Sequence, residues 1–145
     1  MPPELFDKFV VPFVSEMVNL IHSKGSRVRI HCHGKIGKVL DSICKINCDA
    51  IDPCESPPDG DIELSEVKDK IGDKISIFGN IQLKQLETAS GDEIKRIVKN
   101  CMDAAKESGR YVIMPTASPI NSPLSAKTEE NYFTYIDYAL EIGRY

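Results

Sequence analysis

Two histidines flank a cysteine at His31, Cys32 and His33, where a short β-branched run, Val28 to Ile30, gives way to Gly34. Residues two apart on an extended strand point the same way, so His31 and His33 share one face if the strand continues through them. Two neutral imidazoles side by side suit a metal ion. The plainer reading is a polar strand end, with one ring turned into a helix interface. Cys32 alternates with the histidines, so it faces the opposite layer and packs there. Polar or reactive residues also follow the later apolar runs: Glu55, then Asn80, then Thr116 with Ser118. Asn80 suits hydrogen bonding to a substrate, or equally the tying together of adjacent strand ends.

The elements that would position these groups follow from periodicity. Leu5, Phe6, Phe9, Val10, Phe13, Val14, Met17, Val18 and Ile21 recur at helical spacing, which predicts an amphipathic helix over residues 4–23, kinked at Pro12 and stopped by Gly25. The first strand is the run into His33, and Val39, Leu40, Ile43 and Ile46 restore a helical period. A second strand at Ala50 to Asp52 precedes a turn-rich stretch, Pro53 to Asp61, and a short helix through Val67 and Ile71 that ends at Gly72. Ile75 to Phe78 is a third strand meeting Gly79 and Asn80. A helix through Ile94, Val98, Cys101 and Ala105 ends near Gly109, Tyr111 to Met114 is a fourth strand broken by Pro115, and a last helix starts at about Glu129. Tyr132, Tyr135 and Tyr138, spaced by three, pack that helix. His22, at the end of the first helix, has no evident chemical role.

A helix followed by strand and helix in strict alternation requires parallel strands joined by right-handed crossovers. An open doubly wound sheet would carry G-x-G-x-x-G after its first strand, and Gly34-Lys35-Ile36-Gly37 does not match. A parallel (β/α) barrel segment fits better, because in such barrels the face at the C-terminal strand ends carries the site. The expected fold class is therefore α/β, within one domain over residues 1–145.

Composition excludes several function classes. Acidic and basic residues are interleaved around a net charge of -4, with no basic stripe to neutralise phosphates, so nucleic acid is not an expected partner. No apolar run approaches the roughly 20 residues needed to span a bilayer, and no export signal opens the chain, which predicts a cytoplasmic protein. Five cysteines without such a signal are expected as free thiols. Cys44 and Cys48, four apart, would share a helix face and suggest a metal, although Leu40, Ile43 and Ile46 make a packed helix side the simpler reading.

Four stretches in order, PELFDKFVVPF, IHCHG, ISIFGNIQ and SPLSAKTEENYFTYIDYALEIGRY, resemble the uroporphyrinogen decarboxylase superfamily over nearly the whole chain. The resemblance implies a TIM-type barrel of about eight strands, of which this chain supplies the second half. It also implies one of two chemistries. Uroporphyrinogen decarboxylases work without metal on a tetrapyrrole whose carboxylates are held by residues of the N-terminal half, which this chain lacks. Methylcobalamin:thiol methyltransferases, and more distantly cobalamin-independent methionine synthase, bind zinc through His-x-Cys at this strand end. His31 matches that histidine, and His33 stands where the cysteine would be. Glu55 occupies the place of a zinc-binding glutamate of methionine synthase, with Cys54 as an alternative, so the resemblance implies zinc on His31, His33 and Glu55. The chain departs from the methyltransferases at the fourth strand, where Pro115 to Pro119 offers no thiolate.

The leading expectation is zinc-dependent methyl transfer from a corrinoid to a thiol, with Asn80, Thr116 and Ser118 binding substrate. The alternatives are metal-independent decarboxylation of a porphyrinogen, and a catalytically inactive half-barrel subunit. A half-barrel leaves sheet edges and an apolar inner face open, so a partner is expected, either a second copy completing the ring or a separate N-terminal half-barrel.

Overall fold

The computed structural model describes residues 1–144. Four strands form one parallel sheet in the order of the sequence: β1 (Arg29–Cys32), β2 (Ala50–Pro53), β3 (Ser76–Ile81) and β4 (Tyr111–Pro115). Between them lie α3 (Leu40–Lys45), α4 (Leu64–Ile71), α5 (Leu83–Thr88) and α6 (Gly91–Ala105); α1 (Pro3–Phe9) and α2 (Val11–His22) precede the sheet, and α7 (Ala126–Ile142) follows it. Sequential parallel strands alternating with helices make part of a TIM-type barrel, as the pattern predicts.

The first helix is broken rather than kinked. Val10, with φ -113° and ψ -56°, separates α1 from α2, and Pro12 sits in the first turn of α2. A proline has no N–H to offer the preceding turn but is well accommodated where a helix begins, so the chain restarts there. The last helix starts earlier than apolar spacing alone predicts, because the Ser125 hydroxyl accepts from Thr128 N–H and caps it. Ser90 caps α6 in the same way through Glu93. Helix α5 escapes a periodicity argument: it has six residues, and Leu86 alone among them is buried. β3 runs on through Gly79 and Asn80 to Ile81 instead of stopping at the glycine.

The core lies between the sheet and the helices. Ile51, Ile77 and Ile81 from the strands meet Ile43, Val67, Ile71, Ile94 and Val98 from the helices, all fully buried. Asn131 of α7 is buried too, and its Nδ2 donates to the carbonyls of Leu86 and Ala89, both at 2.9 Å, pinning α7 to α5. Cys48 lies beyond the end of α3, so it does not share a helix face with Cys44; it is buried, and burial pushes its thiol up to about 11. His22, by contrast, has a clear role: its Nε2 lies 2.8 Å from Asp49, whose carboxylate also accepts from Val28 N–H and Arg27. These contacts, the Val28 N–H first, hold the Asp49 carboxyl well below the usual range.

On the opposite side of the sheet, Arg29 and His31 project from β1 away from the helix layer. The Arg29 guanidinium lies over the Phe78 ring at 4.9 Å and 3.9 Å from Met114 Sδ, spanning the face that a closed barrel would enclose. No strand pairs with the outer edge of β1 or β4 among the described residues.

Gly79 sets the spacing of β2 and β3. A Cβ there would lie 2.1 Å from the Pro53 carbonyl oxygen, with φ at +146°. Gly79→Ala is therefore expected to lower unfolding free energy by roughly 1–3 kcal/mol, read from the denaturant midpoint. Asp49 gives a pH prediction. Its folded pKa lies below the ordinary value of 3.8, so the ionised carboxylate stabilises the fold above that value, and the contribution fades as pH falls towards the folded pKa. Asp49→Asn should melt several degrees below the wild type at neutral pH, and the gap should narrow below about pH 4.

Candidate functional site

The parallel register pairs His31 with Asp52 and Cys32 with Pro53, so the ends of β1 and β2 lie side by side. Asp52 is the residue that organises this end of the sheet. Its side chain is 4% exposed, whereas the rings of His31 and His33 are 61% and 48% exposed, so the carboxylate forms the floor and the imidazoles the wall. His31 Nδ1 lies 2.9 Å from Asp52 Oδ2, and Arg29 Nε lies 3.3 Å from the other oxygen. His33 Nδ1 lies 3.1 Å from Glu55 Oε1, and Glu55 Oε2 accepts from Gly34 N–H at 2.6 Å. The two rings meet edge to face with centroids 4.6 Å apart.

An ionised carboxylate only accepts hydrogen bonds, so the His31 imidazole keeps its hydrogen on Nδ1 when neutral, whereas His33 Nδ1 lies within ion-pair distance of Glu55 without a hydrogen bond to it. That leaves Nε2 of His31 as a lone-pair donor, and Nε2 of neither ring has a partner among the described residues. A carboxylate behind a histidine is the usual way in which a ligating or proton-transferring imidazole is held in one tautomer. The structure thus brings His31, His33 and Glu55 together, but with Glu55 joined to His33 Nδ1 and Gly34. Among the described residues no group of three His, Cys, Asp or Glu side chains is placed to hold a metal ion. The two Nε2 atoms suit two metal ligands, fewer than the three that an open zinc site takes from protein.

The histidines open into a cleft of about 920 Å³ at the C-terminal strand ends, where Arg29, Asp52, Thr116, Ser118 and Tyr132 also contribute to the lining. Thr116 is buried in its wall: its N–H donates to the Ile81 carbonyl at 2.8 Å, and its hydroxyl lies 3.3 Å from Gln82 Oε1. Ser118 is exposed at the rim. Asn80 lies outside the cleft. Its Nδ2 donates to the Cys54 carbonyl and to Ser56 Oγ, and its Oδ1 accepts from Cys101 Sγ at 3.6 Å. It ties β2, β3 and α6 together, which is the structural one of the two roles its sequence position allowed.

The cysteines near the site are packing groups. Cys54 is fully buried and does not line the cleft beside the histidines, and burial pushes its thiol up to about 12. Burial also raises the thiol of Cys32. Asp52 and Arg29 do not stand out in the sequence. Asp52 sits at the end of the strand the sequence predicts, and only the pairing with β1 puts it opposite His31. The tautomer assignment is checked by imidazole nitrogen NMR: wild-type His31 should carry its hydrogen on Nδ1, and Asp52→Ala should move it largely to Nε2 while His33, which has no contact with Asp52, stays as it was.

Comparisons with known proteins agree with this architecture. A family model described as uroporphyrinogen decarboxylase (URO-D) matches residues 1–123. Among solved structures, a methyltransferase from Methanosarcina mazei superposes with a TM-score of 0.77 at 16% identity, covering 99% of this chain and 39% of its own. The chain thus spans well under half of that protein's length, and at this identity the likeness concerns the fold. No curated protein matches the chain. Because the family model covers most of the sequence, the chain belongs to the uroporphyrinogen decarboxylase family.

Proposed function

We propose that the chain forms the metal-binding part of a methyltransferase of this superfamily, with zinc held by Nε2 of His31 and His33, a corrinoid as methyl donor and a thiol as acceptor. The observation that carries this reading is the pair of exposed imidazoles in edge-to-face contact, with His31 backed at Nδ1 by Asp52 and His33 beside Glu55. Zinc at such a site lowers the pKa of a bound thiol, so that it reacts as a thiolate.

The chain's own residues have definite parts. Asp52 fixes the His31 tautomer with Nε2 open to the cleft, and Arg29 balances the buried Asp52 charge. Glu55 would supply a third ligand by turning away from His33 Nδ1, from which it lies 3.1 Å away. Thr116 and Ser118 place hydroxyls on the opposite wall, where they orient the substrate. With two neutral imidazoles and one carboxylate, the site is less electron-rich than a thiolate site.

The second reading is metal-free decarboxylation of a porphyrinogen-type tetrapyrrole, with the histidines as polar lining of the cleft. What favours it is Glu55, both of whose oxygens are already engaged, one by His33 and one by Gly34. Elemental analysis separates the two. After dialysis against zinc at neutral pH, about one zinc per chain is expected, reduced to background in the His31→Ala, His33→Ala double variant with its circular dichroism unchanged. Zinc-free protein under these conditions sinks the methyl-transfer reading. Turnover of a porphyrinogen by that protein would establish the second, and its absence would point to an inactive subunit.

A further inference from the structure

We propose that residues 117–124, between β4 and α7, form a strap that swings inwards over the histidine cleft and seats Ile120 against its apolar lining. The segment is held firmly only at its ends. Before it, Thr116 is buried, with its N–H donating to the Ile81 carbonyl at 2.8 Å. After it, the Ser125 hydroxyl accepts from Thr128 N–H at 3.1 Å and anchors the first turn of α7. Between these anchors no residue makes a hydrogen bond or ion pair with any described residue. Segments with solvent-exposed backbone and few internal bonds are the first to open in a folded chain.

The strap also has space on both sides. Pro119, Asn121 and Leu124 line the histidine cleft, and the same three line a second groove of about 330 Å³, to which Glu87 of α5 and Thr128 of α7 contribute. An inward swing therefore widens the groove as it narrows the cleft. No packed core has to break, since Ala117, Ser118 and residues 120–124 are exposed. Pro119 and Pro123 fix φ and hold Ser118 and Ser122 extended, so rotation falls to Ala117 and to the Ile120–Asn121 pair.

What drives the swing is apolar surface. Ile120 is 90% exposed, and Met114, Leu124 and Tyr132 put apolar groups into the cleft lining. Bringing Ile120 onto them removes from water area that the open form exposes. In the closed form the strap covers His31 and His33 and shuts water from their rings, which is what closing loops do at reaction centres. Such a strap rests only on the cleft being the site and needs no zinc. Zinc-free protein would therefore sink the methyl-transfer reading and leave the strap untouched.

Relaxation-dispersion NMR on the metal-free chain, which reads microsecond-to-millisecond exchange, tests it. Exchange is expected at the amides of Ala117, Ser118, Ile120 and Asn121 and at the ring carbons of His31 and His33, all at one rate, with the amides of β4 and α7 quiet. Ile120→Asp, at a position that faces solvent in the open form, should lower the closed population by about tenfold, as the lost burial of one large apolar side chain requires. Ile120→Leu should retain the exchange. A strap static on this timescale would overturn the proposal, as would strap exchange that neither ring senses. So would ring exchange that persists unchanged in Ile120→Asp.

Discussion

The site depends on one buried carboxylate. Asp52 lies within a strand whose four residues are all buried, and a carboxylate so placed is tolerated only if its charge is met. Arg29 meets one oxygen and His31 the other, and both come from the neighbouring strand because the parallel register sets His31 opposite Asp52 and Arg29 one pleat below. The desolvation that makes Asp52 costly also makes it an effective anchor. It cannot turn to water, so the His31 ring is fixed in tautomer and direction.

Two glycines keep the strand end that carries this anchor in place. At Gly79 the backbone of β3 approaches Pro53 so closely that no side chain fits between them. Gly60 does the same for the loop after β2, where a Cβ would lie 1.7 Å from the Glu55 carbonyl oxygen. The loop that brings Glu55 to His33 is thus folded back tightly on itself. Asn80 adds hydrogen bonds to Cys54 and Ser56, so this corner is held from its helix side while the histidines face the cleft. The division of labour follows the pleat: side chains towards the helices hold the strands together, and those on the other side line the cleft.

Much of the architecture is legible in the residues. The four strands, their parallel order and most of the helices follow from apolar periodicity, because burying one face of a helix or strand leaves a period in the sequence. The exceptions have local causes. α5 is too short to show a period, the start of α7 is set by the Ser125 cap, and the break at Val10 comes from one missing donor at Pro12. Of the candidate site residues, His31, His33, Glu55, Thr116 and Ser118 do gather at one end of the sheet, since strand ends in parallel topology all point the same way. Asn80 does not join them, because its amide is used up by neighbouring strand ends.

What the sequence by itself determined is the four strands, most of the helices and their direction, consequences of local periods of two and 3.6 residues; His33 lies just beyond the end of β1, so its contact with His31 is not one of them. The tertiary structure alone decided the partners of those histidines. Asp52 lies 21 residues from His31, Glu55 lies beyond a buried cysteine, and Arg29 reaches across the inner face of the sheet to Phe78 and Met114. Contacts of that separation leave no period in a single chain, because they depend on register and on which strand lies beside which.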